Sequence, residues 1–208
     1  MLTVEKIRSA LGRRRPAEPT SAFTAEWRNA SVAMALAGEG DGLEACFILR
    51  TVRDGDPWSG QVAFPGGRAE PGDPDAAAVA ERETFEEIGL RLARDQCLGA
   101  LPPQPLYRIG PRGSLSPFVY HLGPDFSRGG ATGWRATLNH EVTEAFWVPL
   151  RHLFDPGTAT SIEWERPGRS ETVHPGIDFE GHVIWGLTLR VLGTFADLVG
   201  KRLPALDP

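Results

Sequence analysis

Glu83, Glu86 and Glu87 stand three and four residues apart, a spacing that puts three carboxylates on one face of a helix. Like charges so placed repel by a few tenths of a kcal/mol per pair. A hard divalent cation such as Mg²⁺ removes that cost, and oxygen-rich sites suit it. Clustered carboxylates can hold such an ion and leave coordination positions open for water and substrate. The chemistry this serves is attack of water on a diphosphate, whose charge otherwise repels hydroxide: metal ions neutralise the phosphate oxygens, acidify a bound water and align it with phosphorus.

The segment carrying them, GGRAEPGDPDAAAVAERETFEEIGL over 66–90, starts with two glycines after an apolar run and passes through a Pro/Gly/Asp turn. Asp73 as N-cap and Pro74 at the first helical position start a helix, and Gly89 closes it as a left-handed C-cap. Ala77, Ala80, Thr84 and Ile88 form its apolar stripe, beside the acidic face. Upstream, residues 28–37 and 43–53 read as strands of a hairpin around GEGDG, and 61–64 as a short strand. Downstream, 96–101, 115–122 and 141–149 read as strands, with loops over 101–114 and 123–140. Leu150–Phe154 reads as one helical turn, 160–184 as a second hairpin, SIEWER and HVIWG flanking a polar stretch, and Leu187–Val199 as a helix packed on the sheet. Residues 3–12 form a short helix with Thr3 as its cap, and Arg13–Pro19 a basic linker. This is mixed α and β without the regular alternation of a doubly wound sheet. Residues 1–27 read as an N-terminal helix and linker, open to a homodimer contact or to use as a cap, and 28–208 as the domain proper.

Net charge is −5, so there is no basic excess to draw nucleic acid or an anionic membrane. No apolar run is long enough to span a bilayer and the N-terminus lacks a signal-peptide core, so the expectation is a soluble cytoplasmic protein. Cys46 and Cys97 sit among apolar residues and read as buried free thiols.

Arg82-Glu83-Thr84-Phe85-Glu86-Glu87-Ile88-Gly89-Leu90 resembles the second half of the Nudix box: Gly, five residues, Glu, seven residues, then R-E-U-x-E-E-x-G-U with U bulky or aliphatic. The first half departs, with Asp73 in place of Glu and eight residues between it and Arg82. The resemblance implies an α+β fold, an α/β/α sandwich with a mixed central sheet and the box helix on one face. It implies a hydrolase that cleaves a nucleoside diphosphate linked to another group, X. By position, Glu83, Glu86 and Glu87 look like ligands of Mg²⁺ or Mn²⁺, Arg82 like the arginine that orients the acids, and Gly66 and Gly67 like the loop that admits the diphosphate. The base that takes the water's proton is a box glutamate, Glu141 or Glu144.

A second resemblance bears on substrate. Coenzyme A diphosphatases of the Nudix family carry an aliphatic pair, T-x-R-(S or A), three residues, Arg, three residues, Gly, three residues and F-P-G-G. Phe47-Ile48, Gly60 and Phe64-Pro65-Gly66-Gly67 fit, and FWVPL at 146–150 and HVIWGLTLRVL at 182–192 are similar to that branch. Thr51, Val52 and Asp56 depart, with Asp56 in an arginine's place; Arg50 or Arg53 can substitute only if the loop shifts. This makes coenzyme A or an acyl-coenzyme A the favoured substrate, with nucleotide sugars, dinucleotides and nucleoside triphosphates as alternatives. Trp58 can stack on a base or pack under its own loop. Arg108 and Arg112 can meet phosphate or solvent. His140, His182 and Ser59 lack nucleophile partners. Two other function classes stay open: a non-catalytic nucleotide-binding module on the same fold, and a structural calcium site in an interaction domain.

Overall fold

Alternating side chains along two central strands set the layers of the molecule. The computed structural model describes residues 1–12, 29–56, 58–106, 113–126, 133–164 and 172–204. In chain order its helices and strands are α1 (Val4–Gly12), β1 (Asn29–Ala37), β2 (Glu44–Arg50), β3 (Val62–Ala63), β4 (Gly66–Arg68), α2 (Ala76–Ile88), β5 (Cys97–Ala100), β6 (Gln104–Pro105), β7 (Ser114–His121), β8 (Val142–Pro149), α3 (Leu150–Leu153), β9 (Ala159–Trp164), β10 (Thr172–Phe179), β11 (His182–Trp185) and α4 (Gly186–Leu198). Ala33, Ala35 and Ala37 of β1 and Cys46 and Ile48 of β2 face α2 and bury Ala80 and Ile88 against them. The alternate residues Met34, Leu36, Ala45 and Phe47 face the other way, into a core shared with α1 and α4 through Ile7, Leu11, Leu189, Leu192 and Phe195. A period of two thus sends one set of side chains to each helical layer, and the result is a sheet between helices.

The sheet is mixed. Its path runs β3-β2-β1-β7-β5, with β8 also on β2, β4 on β1 and β6 on β7. β1 and β7 are parallel, Asn29 opposite Ser114 through Leu36 opposite His121. β1 and β2 form the expected antiparallel hairpin, although β2 stops at Arg50, where its register against β8 shifts. Among the described residues, no helix is long and apolar enough to cross a membrane. Both cysteines are free: Cys46 is buried, which pushes its thiol pKa up, and Cys97 is half-buried.

Three local expectations are corrected. The cap of α2 is Asp75, whose Oδ1 accepts the Ala78 N–H at 2.8 Å, and the helix starts at Ala76. Asp73 is engaged elsewhere: its Oδ2 accepts the Glu70 N–H at 2.8 Å, and its carboxylate takes the Arg82 fork. The glycines of FPGG form a strand rather than a loop, since Gly66, Gly67 and Arg68 pair antiparallel with Val32, Ser31 and Ala30. The region 160–184 holds a three-stranded meander, β11-β10-β9, in place of a hairpin. The middle strand escapes sequence patterning because Pro175 and Gly176 interrupt it, and Gly176 is required where a Cβ would strike Val183.

The remaining elements follow expectation. Gly89 caps α2 with φ 69° and donates its N–H to the Phe85 carbonyl at 2.9 Å. Thr84 is fully buried, with its hydroxyl donated to the Ala80 carbonyl at 2.6 Å, which satisfies a polar group at an apolar position. Thr3 accepts the Lys6 N–H at 3.3 Å at the start of α1. Arg13–Arg15, Arg108 and Arg112 lie outside the described residues.

Candidate active site

An open cleft of about 790 Å³ lies between α2, β4, the 50–61 segment, the 139–141 segment and the first turns of α4. Its α2 wall is built by close approach. Glu87 is 1% exposed, and its Oε2 accepts the Gly66 N–H at 2.8 Å. Gly66 has φ 150°, and a Cβ there would strike the Ser31 carbonyl and Val32, so only glycine brings this amide to the carboxylate. A Cβ on Gly67 would strike the Glu83 carboxylate, which lies directly over that backbone.

Arg82 ties this wall together. Its Nε and Nη2 hold both Asp73 oxygens at 3.0 Å, and Nη2 also donates to the Arg68 carbonyl at 3.0 Å. Its Nη1 meets Glu83 Oε1 at 3.1 Å and Glu86 Oε2 at 3.0 Å. The bidentate fork fixes the guanidinium plane, so the remaining nitrogen has a set direction toward the two glutamates. Hydrogen bonding to Asp73 is the main reason the Arg82 pKa is raised, and it holds Asp73 below the usual carboxylate range.

Burial dominates the electrostatics of the glutamates. Glu87 is pushed up to about 8, by desolvation first; the Gly66 N–H and Arg50 pull the other way, and Glu83 and Glu141 add repulsion. Glu83 is raised for the same first reason, with Arg82 opposing and Glu86 and Glu141 repelling. Among the described residues, no group of three or more His, Cys, Asp or Glu side chains is gathered as a ready metal shell. Glu83 and Glu86 meet instead at one Arg82 nitrogen, and Glu87 is turned to the Gly66 amide.

The facing wall joins the 50–61 segment to the 139–141 segment through long-range pairs, with local pairs inside each segment. Arg53 Nη1 reaches Glu141 Oε1 at 3.2 Å, and its Nη2 donates to the His140 carbonyl at 2.8 Å. The Thr51 N–H donates to the Glu141 carbonyl at 2.8 Å, and Ser59 Oγ accepts the Arg53 N–H at 2.6 Å. The Asn139 N–H donates to the Glu87 carbonyl at 3.0 Å, and Asn139 Oδ1 accepts the Glu141 N–H at 2.8 Å. These bonds seat Glu141 across from α2. Arg50 Nη2 pairs with Asp56 Oδ2 at 3.0 Å.

The cleft therefore brings together Arg50, Trp58, Gly66, Gly67, Arg82, Glu83, Glu86 and Glu141, with Glu87 buried directly behind Gly66. Glu144 stands apart, half-exposed and paired with His182 at 3.3 Å, while that imidazole stacks on Phe146 at 4.6 Å. His140 lines the cleft and offers its backbone carbonyl. Sequence reasoning missed three contributors. Asp73 is the anchor of Arg82, Arg53 is the partner of Glu141, and Leu187, Thr188 and Val191 of α4 line the apolar end with Leu106 and Leu115. Asp73 was findable, because it occupies the acidic position of the box. The Arg53–Glu141 pair spans 88 residues and leaves no local signal.

Comparison with known proteins shows the family and the fold. The NUDIX domain model matches residues 27–166. The chain is 32% identical over 143 residues to the mitochondrial coenzyme A diphosphatase NUDT8 of Mus musculus, covering 68% of this chain and 64% of that protein. It is 31% identical over 150 residues to the human protein of the same name, covering 72% and 60%. The chain thus spans less than two thirds of the length of both. A third relative is the Nudix hydrolase NudL of Photorhabdus laumondii, 32% identical over 143 residues, covering 68% of this chain and 70% of that one. Among solved structures, a MutT/nudix family protein from Enterococcus faecalis superimposes with a TM-score of 0.50 at 14% identity, covering 90% of this chain and 68% of that one; this likeness concerns the fold.

Proposed function

This chain belongs to the Nudix family, and we propose that it is a divalent-metal-dependent diphosphatase acting on a nucleoside diphosphate linked to X, with coenzyme A or an acyl-coenzyme A favoured. One observation carries the reading: Glu87 and Glu83 of α2 are packed onto the backbone of Gly66 and Gly67 at the wall of an open cleft, with the exposed Glu86 beside them on the same face.

The donor set fits a hard divalent cation. Burial raises Glu83 and Glu87, and the carboxylates of Glu83, Glu86, Glu87 and Glu141 repel one another. A cation among them offsets both effects, and Nudix hydrolases generally use divalent metals. Glu83, Glu86 and Glu87 would hold Mg²⁺ or Mn²⁺, with Arg82 orienting Glu83 and Glu86 and the Gly66 amide orienting Glu87. Such an ion supplies charge neutralisation at the phosphate oxygens and a more acidic bound water. The chain supplies the rest. Glu141, seated by Arg53 and Asn139, accepts a proton from the attacking water as its oxygen bonds to phosphorus. The anhydride P–O bond breaks and the other phosphate group leaves. Arg50 and Arg53 line the cleft already paired with Asp56 and Glu141, Trp58 offers a face for stacking, and the apolar end under α4 suits an uncharged stretch of X.

The coenzyme A preference within this reading is supported by the FPGG segment and by the names of the mouse and human relatives. The test is incubation with coenzyme A, acetyl-coenzyme A, nucleotide sugars, dinucleotides and nucleoside triphosphates in Mg²⁺ or Mn²⁺, with products identified by mass. Adenosine 3′,5′-bisphosphate appearing only with metal is the expected result for coenzyme A. AMP from a sugar nucleotide or dinucleotide, with coenzyme A intact, moves the assignment to those substrates. No turnover of any compound leaves a binding module.

A further inference from the structure

The charge inventory of the cleft bears on which diphosphates it accepts. Among the described lining residues the cations are Arg50, Arg53, Arg68 and Arg82, and the carboxylates are Asp54, Asp56, Glu70, Glu83, Glu86 and Glu141. Three of the arginines are already engaged: Arg82 with Asp73, Glu83 and Glu86, Arg53 with Glu141, and Arg50 with Asp56. A cation at the α2 face answers the glutamates there. Asp54 and Asp56 belong to the facing wall, with Arg50 and Arg53.

Asp56 is firmly set. One oxygen takes Arg50 Nη2 at 3.0 Å, and the other accepts the Trp58 N–H at 3.0 Å. Burial works against its ionised form, but the Trp58 N–H and Arg50 outweigh burial and leave the carboxyl below its usual range. Arg50 Nε, meanwhile, is buried with no hydrogen-bond partner. The pair as a whole carries no net charge, and the exposed Asp54 beside it has no ion pair among the described residues. An anionic group brought to this wall meets a neutralised arginine and an added negative charge, and specificity is built by such repulsion as much as by attraction.

We propose that Asp56 is a specificity-determining residue which, by occupying Arg50, makes the cleft favour diphosphates that carry no further phosphate monoester, so that dephospho-coenzyme A is a better substrate than coenzyme A. The proposal rests on the diphosphatase reading given above and, within the coenzyme A class, moves the preference from coenzyme A itself to its dephospho form.

The experiment compares kcat/KM for coenzyme A and dephospho-coenzyme A in the wild type, Asp56→Asn and Asp54→Asn, with thermal melting to establish that each variant is folded. The wild type favours the dephospho form. Asp56→Asn shifts the ratio toward coenzyme A by about five- to tenfold, the worth of one charge at close range in a partly solvated cleft. Asp54→Asn shifts it less. An unchanged ratio in folded Asp56→Asn, or an equal shift in Asp54→Asn, overturns the assignment to Asp56. If the wild type hydrolyses neither compound, the diphosphatase reading has failed for this substrate class. Calorimetric titration of AMP and adenosine 3′,5′-bisphosphate into the same three proteins then decides the selectivity separately. Tighter binding of AMP by the wild type, with the gap narrowed in Asp56→Asn, supports it, and equal ratios in all three proteins contradict it.

Discussion

The two walls of the cleft are built on opposite principles. On the α2 wall, carboxylates are buried and held by backbone at distances only glycine permits, with Glu87 on the Gly66 amide and Glu83 over Gly67. On the facing wall, Arg50–Asp56 ties the end of β2 to the loop that follows it and Arg53–Glu141 joins two distant segments, and both pairs are partly exposed. The first wall stores electrostatic cost, seen in the upward shift of Glu87 and Glu83. The second stores little, because exposed pairs are individually weak. A site that must bind a cation on one side and exchange an anionic substrate on the other has use for this division: rigid and underpaired where the metal would sit, neutralised and adjustable where the substrate passes.

The largest effect expected is on the first wall. Glu83→Gln and Glu87→Gln each lower metal-dependent kcat by about 10²- to 10³-fold, the scale of losing one preorganised group at a transferring phosphoryl centre. Steady-state assays at saturating Mg²⁺, with melting curves to confirm folding, decide it. Retained turnover in both variants removes these residues from the chemistry.

Packing comes next. Gly66→Ala forces a Cβ into the Ser31 carbonyl and Val32 at φ 150°, and is expected to destabilise by roughly 2–4 kcal/mol in denaturant melts. Gly67→Ala meets a side-chain carboxylate instead of backbone, so it costs less stability and shows mainly as lost activity. Equal stability losses in the two variants would mean that the two glycines are not distinguished in this way.

Much of the first wall is legible in sequence because its spacing is local. R-E-x-x-E-E-x-G within one helix fixes the face, and Gly89 fixes the end. The strand made by the glycines themselves is not legible, because two consecutive glycines after a proline carry no strand signal, and only pairing with β1 creates one. The second wall is harder still. Glu141 and Arg53 meet through tertiary structure, and nothing local to either residue marks the pair. Asp73 shows the opposite failure: good local capping chemistry is overridden by a tertiary partner, Arg82, and the cap passes to Asp75.

Linkage gives a third test. The Glu87 acid is raised from 4.5 to about 8 in the folded protein, so the native state holds its proton where the unfolded chain has released it. This contribution to stability is full below about 4.5 and is lost as pH rises toward about 8. Metal-free wild type should therefore lose stability across that window, and Glu87→Gln should lose less. Denaturant titrations at a series of pH values in chelator measure the slope, and parallel slopes in the two proteins refute the assignment to Glu87.

The smallest effect belongs to the second wall. Arg53→Ala removes a partly exposed pair and is expected to cost under about 1 kcal/mol of stability. Its activity should fall through kcat more than KM, because Glu141 loses the partner that seats it, and Arg53→Lys should recover part of the loss. A large stability change with activity unaltered would make Arg53 a fold residue and erase the contrast between the walls.

The most direct measurement is anomalous diffraction from a crystal soaked in Mn²⁺. A peak is expected against the carboxylates of Glu83, Glu86 and Glu87 beside β4, absent from crystals of Glu87→Gln treated in the same way. Manganese bound elsewhere with these oxygens untouched, or an undiminished peak in the variant, would contradict a metal role for the α2 wall.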